Sequence, residues 1–414
     1  MTHDAVLVVP APRMPQSATG AGESTNGIQE SGARGSARPS TGRLIGVDLA
    51  RGLAVFGMFA AHVGADPSQG GVVGFLMELA HGRSSALFAF LAGFAVVLIT
   101  GRREPKTGRA GRQAVAKVII RALVLLALGS ALTMWGTPID VILAFYGLFF
   151  LLVLPLYRLG SGPLAALAAG TALVFPQLLY VLTPLVGAGA SPSDGEPDGL
   201  VSLLFTGSYP ALSWIPFVLA GMAVARLDLA SAAVRTRMAL TGIALAVVGY
   251  GGSWLALHLV PGATDAIAAS GSGGAALSAW WSDNAGYPDG STPAWLLAAS
   301  PHSETTLSII ANTGVAITVL AACLAAMDAL PRLRRLARPA IAVGSMSLTA
   351  YVAHIVAIQL LDIDIDELPG PPLFVLLAFI VAVGAFATVW SRFFRRGPLE
   401  RLMSGVTGIA RYVP

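Results

Sequence analysis

The 414-residue chain carries too little charge for a soluble globular protein. Hydrophobic residues make up 55% of it and charged residues only 12%, whereas soluble domains carry about 25% charge. A mean hydropathy of +0.72 indicates that lipid is the solvent for most of the chain. The net charge of +4 and the single Cys323 point neither to nucleic acid nor to an internal disulfide, and no cluster has zinc-ligand spacing.

The chain begins with a polar segment and continues as a series of apolar stretches. Residues 1–42 are rich in Ser, Gly, Ala, Pro and Arg, which predicts a disordered cytoplasmic tail. From Leu44 onward, stretches of about 20 residues recur, each able to cross roughly 30 Å of hydrocarbon. They predict an all-α, polytopic integral membrane protein of about ten transmembrane helices, with a membrane domain at 43–398 and a cytoplasmic tail at 399–414. The predicted spans are 44–65, 76–100, 112–135, 138–157, 163–184, 205–226, 236–260, 304–328, 340–361 and 371–394.

Lys and Arg residues predict the orientation, because they favour the cytoplasmic side. The connections after the even-numbered spans and the C-terminal tail are basic; among their residues are Arg102, Arg103, Lys106, Arg158, Arg226, Arg235, Arg332, Arg334, Arg335, Arg395, Arg396 and Arg401. The opposite connections, at about 185–204, 261–303 and 362–370, contain no Lys or Arg. This pattern predicts a multi-pass protein of the plasma membrane with both termini in the cytoplasm.

The largest predicted outer loop, 261–303, combines aromatic and acidic residues. Such residues together can face a sugar. The alternative is that Trp280 and Trp281 anchor the protein at the membrane interface and that the rest of the loop is solvated.

The first span carries a polar stripe. Asp48 and Arg51 lie inside it, and each charge costs about 2.5–3.5 kcal/mol to insert, so neither is expected to face lipid. Their spacing allows them to pair. His62 lies eleven residues after Arg51, close to three turns, on the same face and about 16 Å away in depth. This pattern suits a group that enters at the inner side and reacts near the outer side. The alternative is that the pair stabilises the helix bundle and that His62 meets headgroups or water.

The ninth span has a second polar face, formed by Ser347, Tyr351 and His354 at helical spacing. His354 is expected at a depth similar to that of His62, so that the two histidines could serve as base and orienting partner. A packed, hydrogen-bonded His354 is the equal alternative.

Two further groups are predicted on the outer side. His81, Arg83 and Ser85 precede the apolar part of the second span. His302 lies at the entry to the eighth span, where the structural alternative is a helix start with Ser303 as its N-cap.

Two motifs resemble those of known membrane acyltransferases. Arg51-Gly52 with His62 resembles the arginine–histidine motif of the acyltransferase type 3 membrane proteins. The longer pattern, Asp48-x-x-Arg51-Gly52 followed by the run from Gly82 to Gly93, is closer to a sister group, the bacterial relatives of heparan-α-glucosaminide N-acetyltransferase. Further pieces resemble the actinobacterial branch of that group and extend the resemblance over residues 44–401; they start at Asp140, Thr206, Pro301, Leu348 and Arg396.

The resemblance implies transfer of an acyl group, expected to be acetyl, from cytosolic acyl-CoA to a hydroxyl or amine of an extracytoplasmic glycan or glycolipid. It makes the histidine of the motif, here His62, essential. In the heparan enzyme the matching position is Asn and the active histidine lies in the first outer loop, where this chain has His81. His62 and His81 therefore compete for the central role.

The resulting hypothesis assigns roles along the bundle. Acyl-CoA phosphates are expected to bind at the inner side, and the acceptor at the outer side, with His62 as general base or as a transient acyl carrier. The catalytic candidates are His62, His81, His354, Asp48 and Arg51; the acyl-CoA-binding candidates are Arg51, Lys117 and Arg121; the substrate-binding candidates are Arg83, Ser85, Tyr351 and His302. No metal is predicted, and a homodimer is left open. The alternatives are a transporter or flippase of a small polar or lipid-linked molecule, and a non-catalytic scaffold.

Overall fold

The computed structural model describes residues 45–187, 199–270, 276–282, 291–364 and 370–414, and within these ranges the chain is helical without strands. The helices are α1 (Ile45–Val63), α2 (Gly71–Ala80), α3 (Arg83–Thr100), α4 (Gly108–Met134), α5 (Ile142–Val153), α6 (Ser161–Gly187), α7 (Ala211–Ala225), α8 (Ala232–Leu259), α9 (Ala263–Ala269), α10 (Thr306–Ala329), α11 (Pro331–Leu336), α12 (Arg338–Ser345), α13 (Ser347–Leu360), α14 (Pro372–Phe393) and α15 (Pro398–Thr407). The predicted tail at 1–42 and parts of the predicted outer loops lie outside the described residues.

The all-helical membrane fold is confirmed, but the count of ten spans is not. Among the described residues, seven helical segments are long and apolar enough to cross a membrane. They are Ile45–Val63, Gly71–Thr100, Gly108–Met134, Ser161–Leu185, Ala232–Leu259, Thr306–Ala329 and Pro372–Phe393. The predicted ninth span is the pair α12 and α13, bent by 90° at their junction; counted as one span, it makes eight.

The fourth and sixth predicted spans are shorter than expected. The apolar helix at Ile142–Leu156 and α7, which has 15 residues, both belong to the shorter apolar helices of 10–17 residues. Such lengths are too short to match the hydrocarbon thickness. Both are covered by their neighbours: nearly every residue of α5 and all but one of α7 are buried. A core helix of this kind need not match the bilayer, because other helices separate it from lipid.

The bundle has a buried centre and a more exposed periphery. α1 packs against α3, α10 and α12, and α3 packs against α7. In α4, α6, α8 and α14, less than a third of the apolar stretch that could cross the membrane is buried inside the protein. These helices therefore present apolar surface outward, as membrane-facing helices do.

The two ends of the bundle differ in charge. Arg226 donates hydrogen bonds to the backbone oxygens of Gly101, Arg102 and Tyr157. The basic connections after α3, after α5 and after α7 therefore lie together. We call this the Asp48 end, because α1 begins there, and the opposite end the His62 end.

The predicted outer loop is a packed cap in its described parts, which differs from a solvated loop. Leu257, Ile267 and Trp295 are the larger members of a small apolar cluster formed by α8, α9 and the neighbouring turns. Trp295 is only 1% exposed and donates to the Ser270 hydroxyl at 3.2 Å. Asp283, Asn284, Tyr287 and Asp289 of this loop lie outside the described residues.

The predicted C-terminal tail is also ordered into helix. α15 continues as a 3₁₀ turn, Gly408–Tyr412, and both pack on α4. Gln113 of α4 donates to the backbone oxygens of Arg411 and Val413, each at 3.1 Å.

Small residues allow the central helices to touch. A Cβ added at Gly93 of α3 would overlap the backbone oxygen of Val218, and one added at Gly221 of α7 would overlap that of Phe90. Close backbone approach through small residues is a characteristic way in which membrane helices pack.

We expect Gly221→Ala to destabilise the protein by about 1–3 kcal/mol, the usual cost of overpacking, and so to lower the thermal unfolding midpoint in detergent. Gly170→Ala is the matched control, because a Cβ there meets no atom within 4 Å and Ala favours helix over Gly. Equal midpoints for the two variants would contradict this description of the α3–α7 contact.

Candidate functional site

A cavity of about 990 Å³ lies at the His62 end of the bundle. The short core helices help to create it: Pro138–Asp140, which precede α5, and Phe205–Pro210, which precede α7, both line its wall. Five of the predicted site residues also line it, namely His62, His81, Ser85, Tyr351 and His302. None of the described lining residues is Lys or Arg.

The two histidines on α1 and α13 are in direct contact. Nδ1 of His62 lies 3.0 Å from Nε2 of His354, and the planes of the two rings differ by only 8°. His354 is fully buried behind His62, packed on Phe59 at a centroid distance of 4.7 Å. Nδ1 of His354 faces the backbone carbonyls of Ala350 and Tyr351 without a well-aligned hydrogen bond.

The remaining ring nitrogen of His62, Nε2, makes no hydrogen bond with a described residue. It belongs to a half-buried side chain in the cavity wall. His81 and His302 lie within electrostatic range of His62, so the cavity gathers three imidazoles with His354 behind them. In the described chain no group of three or more His, Cys, Asp or Glu side chains is arranged to hold a metal ion.

Tyr351 and Ser85 complete the predicted residues of the wall. The Tyr351 hydroxyl accepts a hydrogen bond from the backbone N–H of Ile142 at 3.3 Å, which connects α13 to the first residue of α5. Ser85 is buried on α3, close to the turn that carries His81.

Arg83 lies behind the cavity wall and does not line it. Its guanidinium donates to the Tyr250 hydroxyl at 2.8 Å and to the backbone oxygens of Glu78 and Trp281, each at 2.6 Å. The side chain is 7% exposed and lies 3.8 Å from a carboxylate oxygen of Glu78. These contacts connect α2, α8 and the described part of the outer cap, which favours a positioning role over the predicted substrate contact.

Asp48 and Arg51 lie in the half of α1 nearest the Asp48 end, Lys117 lies in the corresponding half of α4, and Arg121 lies at the midpoint of α4. None of the four lines the cavity. Arg51 and Asp48 form an ion pair at 3.9 Å, as their spacing predicted. Arg121 is near Arg51 and Glu400, but its Nε is buried without a hydrogen bond, and no ion pair joins it to a described residue. Lys117 is exposed.

The bend between α12 and α13 determines where His354 lies. α1 and α12 approach so closely that only glycine fits at two positions: a Cβ at Gly344 would overlap the backbone oxygen of Asp48, and one at Gly52 would overlap that of Ala340. Gly52 of the motif is therefore a packing residue next to Arg51.

Glu400 caps the beginning of α13. One of its carboxylate oxygens accepts the backbone N–H groups of Leu348 and Thr349 at 2.9 and 3.2 Å, and the other accepts the Thr349 hydroxyl at 2.6 Å. A helix that begins inside a bundle needs such a partner, because lipid cannot satisfy its free N–H groups. In the sequence, Glu400 belongs to the resembling segment that starts at Arg396, which predicts no role for it.

A turn at Pro301–Thr305 forms another part of the wall, and sequence reasoning missed most of it. Ser303 is not the N-cap of the eighth span; Thr305 is, since its hydroxyl accepts the N–H of Ser308 at 3.1 Å. His302 and Glu304 have φ values of 56° and 55°, which non-glycine residues rarely adopt. Asp140, the first residue of one of the segments that resemble the actinobacterial branch, also lines the cavity.

Glu304 is half-buried in the cavity wall and contacts the start of α7. Trp214 donates its indole N–H to one carboxylate oxygen at 2.5 Å, and the Ser213 hydroxyl contacts the other. Burial raises the pKa of the Glu304 carboxyl to about 8, although these two donors oppose the shift. Two helical starts, at α7 and α10, thus hold one carboxyl group in the cavity wall.

Two family models match the chain. The model described as heparan-alpha-glucosaminide N-acetyltransferase, catalytic, matches residues 43–260, more than half of the chain. A second, described as protein of unknown function (DUF418), matches residues 273–409. No curated protein is significantly similar to the chain.

The first match contains α1 with Asp48, Arg51 and His62, and the second contains the turn at Pro301–Thr305 and α13 with His354. The cavity is built from both. On this evidence the chain is a multi-pass membrane protein of acetyltransferase type that belongs to the heparan-alpha-glucosaminide N-acetyltransferase family.

Proposed function

We propose that the protein transfers an acyl group, expected to be acetyl, from cytosolic acyl-CoA to a hydroxyl or amine of a glycan or glycolipid on the outer side of the plasma membrane. The observation that carries this proposal is the pair His62 and His354 at the cavity wall, with Nδ1 of one 3.0 Å from Nε2 of the other. The family supports the reaction type, and the cavity supplies room for an acceptor.

The carbonyls that face His354, together with the hydrogen bond between the histidines, favour one tautomer of each ring. The carbonyls of Ala350 and Tyr351 face Nδ1 of His354 and favour a proton there. Nε2 of His354 then accepts the proton on Nδ1 of His62. Nε2 of His62 is left with a lone pair facing the cavity, which is the form a general base requires.

In the proposed reaction, the acceptor O–H or N–H gives its proton to Nε2 of His62 while its oxygen or nitrogen attacks the thioester carbon. The C–S bond then breaks, and the thiolate of CoA takes the proton from the imidazolium. His62 returns to its starting form without an acyl-enzyme. A transient acyl-His62, or His81 in place of His62, is the alternative chemistry.

The donor is proposed to bind at the Asp48 end. The positive-inside pattern favours the cytoplasm for this end, and for both termini, with ten crossings if α5 and α7 are counted. Arg121, a guanidinium without an ion pair to a described residue, suits the phosphates of acyl-CoA, with Arg51 and the exposed Lys117 beside it. Asp48 would orient Arg51. The pantetheine arm would cover the roughly 16 Å along α1 from Arg51 to His62.

One observation favours the runner-up, a transporter or flippase. The 90° bend between α12 and α13 resembles the broken helices at transporter binding sites. A transporter would move a substrate without consuming acetyl-CoA in proteoliposomes, which separates the two functions.

We expect His62→Ala to lower acetyl transfer from acetyl-CoA by about 10²- to 10⁴-fold, because a general base contributes that much. His354→Gln, whose amide oxygen can accept from Nδ1 of His62, should retain more activity than His354→Leu. The measurement is release of CoA by purified protein with methyl glucosaminide as acceptor.

His258→Ala is the control for these variants. His258 is exposed at the end of α8 and bonds only to the backbone oxygen of Trp254, at 2.7 Å, so its removal should leave turnover unchanged. Full activity of His62→Ala would exclude the assigned base.

We expect Arg121→Gln to raise the KM for acetyl-CoA by about 10- to 100-fold with little change in the acceptor KM, since a hydrogen bond to a charged group contributes about 1.5–3 kcal/mol. Arg109→Gln is the control, because Arg109 is exposed and lies nearer the start of α4, so its replacement should leave the KM for acetyl-CoA unchanged. A rise in the acceptor KM alone would place the donor elsewhere.

A further inference from the structure

The turn at Pro301–Thr305 carries features that the proposed reaction does not use. It follows the described part of the outer cap and leads into α10. His302, Ser303, Glu304 and Thr305 all line the cavity. Two of these four residues adopt left-handed φ values, which cost about 1–3 kcal/mol each and tend to persist at functional sites.

The Ser303 hydroxyl indicates what the turn contacts. The residue is only 8% exposed, its Oγ has no hydrogen-bond partner among the described residues, and it lies in the cavity wall. A buried hydroxyl left unpaired costs about 1–3 kcal/mol. A hydroxyl group of a cavity ligand would satisfy it.

The hydrogen bonds of Glu304 accommodate a neutral carboxylic acid. The Ser213 hydroxyl has one proton and two acceptors in reach, the Pro210 carbonyl at 3.1 Å and the Glu304 carboxyl. The Pro210 carbonyl also accepts the backbone N–H groups of Ser213 and Trp214, each at 3.1 Å, so Ser213 can donate to either acceptor; when it donates to Pro210, it accepts the proton of Glu304. Trp214 then donates to the other carboxyl oxygen.

The surroundings disfavour an ionised Glu304, because a half-buried carboxylate without a Lys or Arg partner loses part of its hydration with no opposite charge to compensate. The described lining residues include no Lys or Arg. The titratable groups that share the cavity wall with Glu304 are His302 of the same turn, His62, His81, Asp140, Tyr180, Tyr209 and Tyr351. Asp140 would repel a second negative charge.

We propose that the turn Pro301–Thr305 is the subsite for an uncharged, hydroxyl-bearing part of the acceptor, with the Ser303 hydroxyl as the contact and a neutral Glu304 as the residue that positions it. The inference rests on the proposed function, because it assigns the acceptor side of the same cavity. His302 lies between the rings of Tyr209 and Trp214, at centroid distances of 5.9 and 6.1 Å, and gives this subsite an aromatic floor.

The test measures binding of methyl glucoside, an uncharged polyol, to the purified full-length protein through the rise of its thermal unfolding midpoint with sugar concentration. At pH 7 we expect a saturable rise. Ser303→Ala should raise the apparent Kd by about 3- to 10-fold, the effect of losing one neutral hydrogen bond. No rise for the unsubstituted protein, or an unchanged Kd for Ser303→Ala, overturns the proposal.

Ser300→Ala is the matched control. The Ser300 hydroxyl is also fully buried without a partner among the described residues, but it does not line the cavity, so its loss should leave sugar binding unchanged. Equal weakening by both serine variants would mean that the turn acts only through its packing.

The charge of Glu304 is tested by pH. Since the pKa of its carboxyl is about 8, it is neutral below that pH, and sugar binding should weaken as the pH rises from 7 to 9. Glu304→Gln keeps a neutral group of the same shape and should bind at both pH values, whereas Glu304→Ala should bind weakly at both. An identical loss at pH 9 in Glu304→Gln and the unsubstituted protein overturns this role.

Failure of the inference and failure of the proposed function give different results. A protein that binds methyl glucoside through Ser303 but never consumes acetyl-CoA contradicts the proposed transfer alone. A protein that transfers acetyl groups with the same acceptor KM in Ser303→Ala contradicts the subsite alone.

Discussion

A hydrogen bond between His62 and His354 joins the first helix of the bundle to a helix that begins inside it. α12 and α13 meet at 90°, and His354 of α13 lies buried behind His62. Gly344 lets α12 lie directly on the backbone of Asp48, and Glu400 caps the N–H groups that the bend leaves free. The position of one imidazole in the cavity therefore depends on packing and capping at the opposite end of the bundle.

The bundle separates two kinds of chemistry along its length. The guanidinium groups proposed to bind the donor lie towards one end, where Arg121 has no ion pair to a described residue. At the other end the described cavity wall has imidazoles and carboxyl groups without Lys or Arg. Short core helices that stop below the cavity, α5 and α7, make room for it. Such a division suits a charged donor and an acceptor bound through its uncharged hydroxyl groups, which approach from opposite sides as in the function proposed here.

The helical membrane fold and the approach of His62 to His354 could be predicted from the sequence, because apolar length and helical spacing are local properties, whereas the number of spans could not. A separation of eleven residues from Arg51 to His62 indicates a shared face wherever the helix lies. The wall at Pro301–Thr305 could not be predicted in this way, because it depends on left-handed backbone and on contacts with α7, far away in sequence. The charge and position of Arg83 predict a substrate contact, whereas its hydrogen bonds to Tyr250 and Trp281 favour a positioning role. Burial in the core likewise explains why α5 and α7 are shorter than membrane spans.

Transfer across the membrane is the most direct test of the central proposal. Proteoliposomes would receive radiolabelled acetyl-CoA only outside, with methyl glucosaminide sealed inside. We expect labelled sugar to accumulate in the lumen from the molecules whose Asp48 end faces outward, and none with His62→Ala. Labelled sugar that forms only when donor and acceptor share one side of the membrane would contradict the proposal that the bundle carries an acyl group from one face to the other.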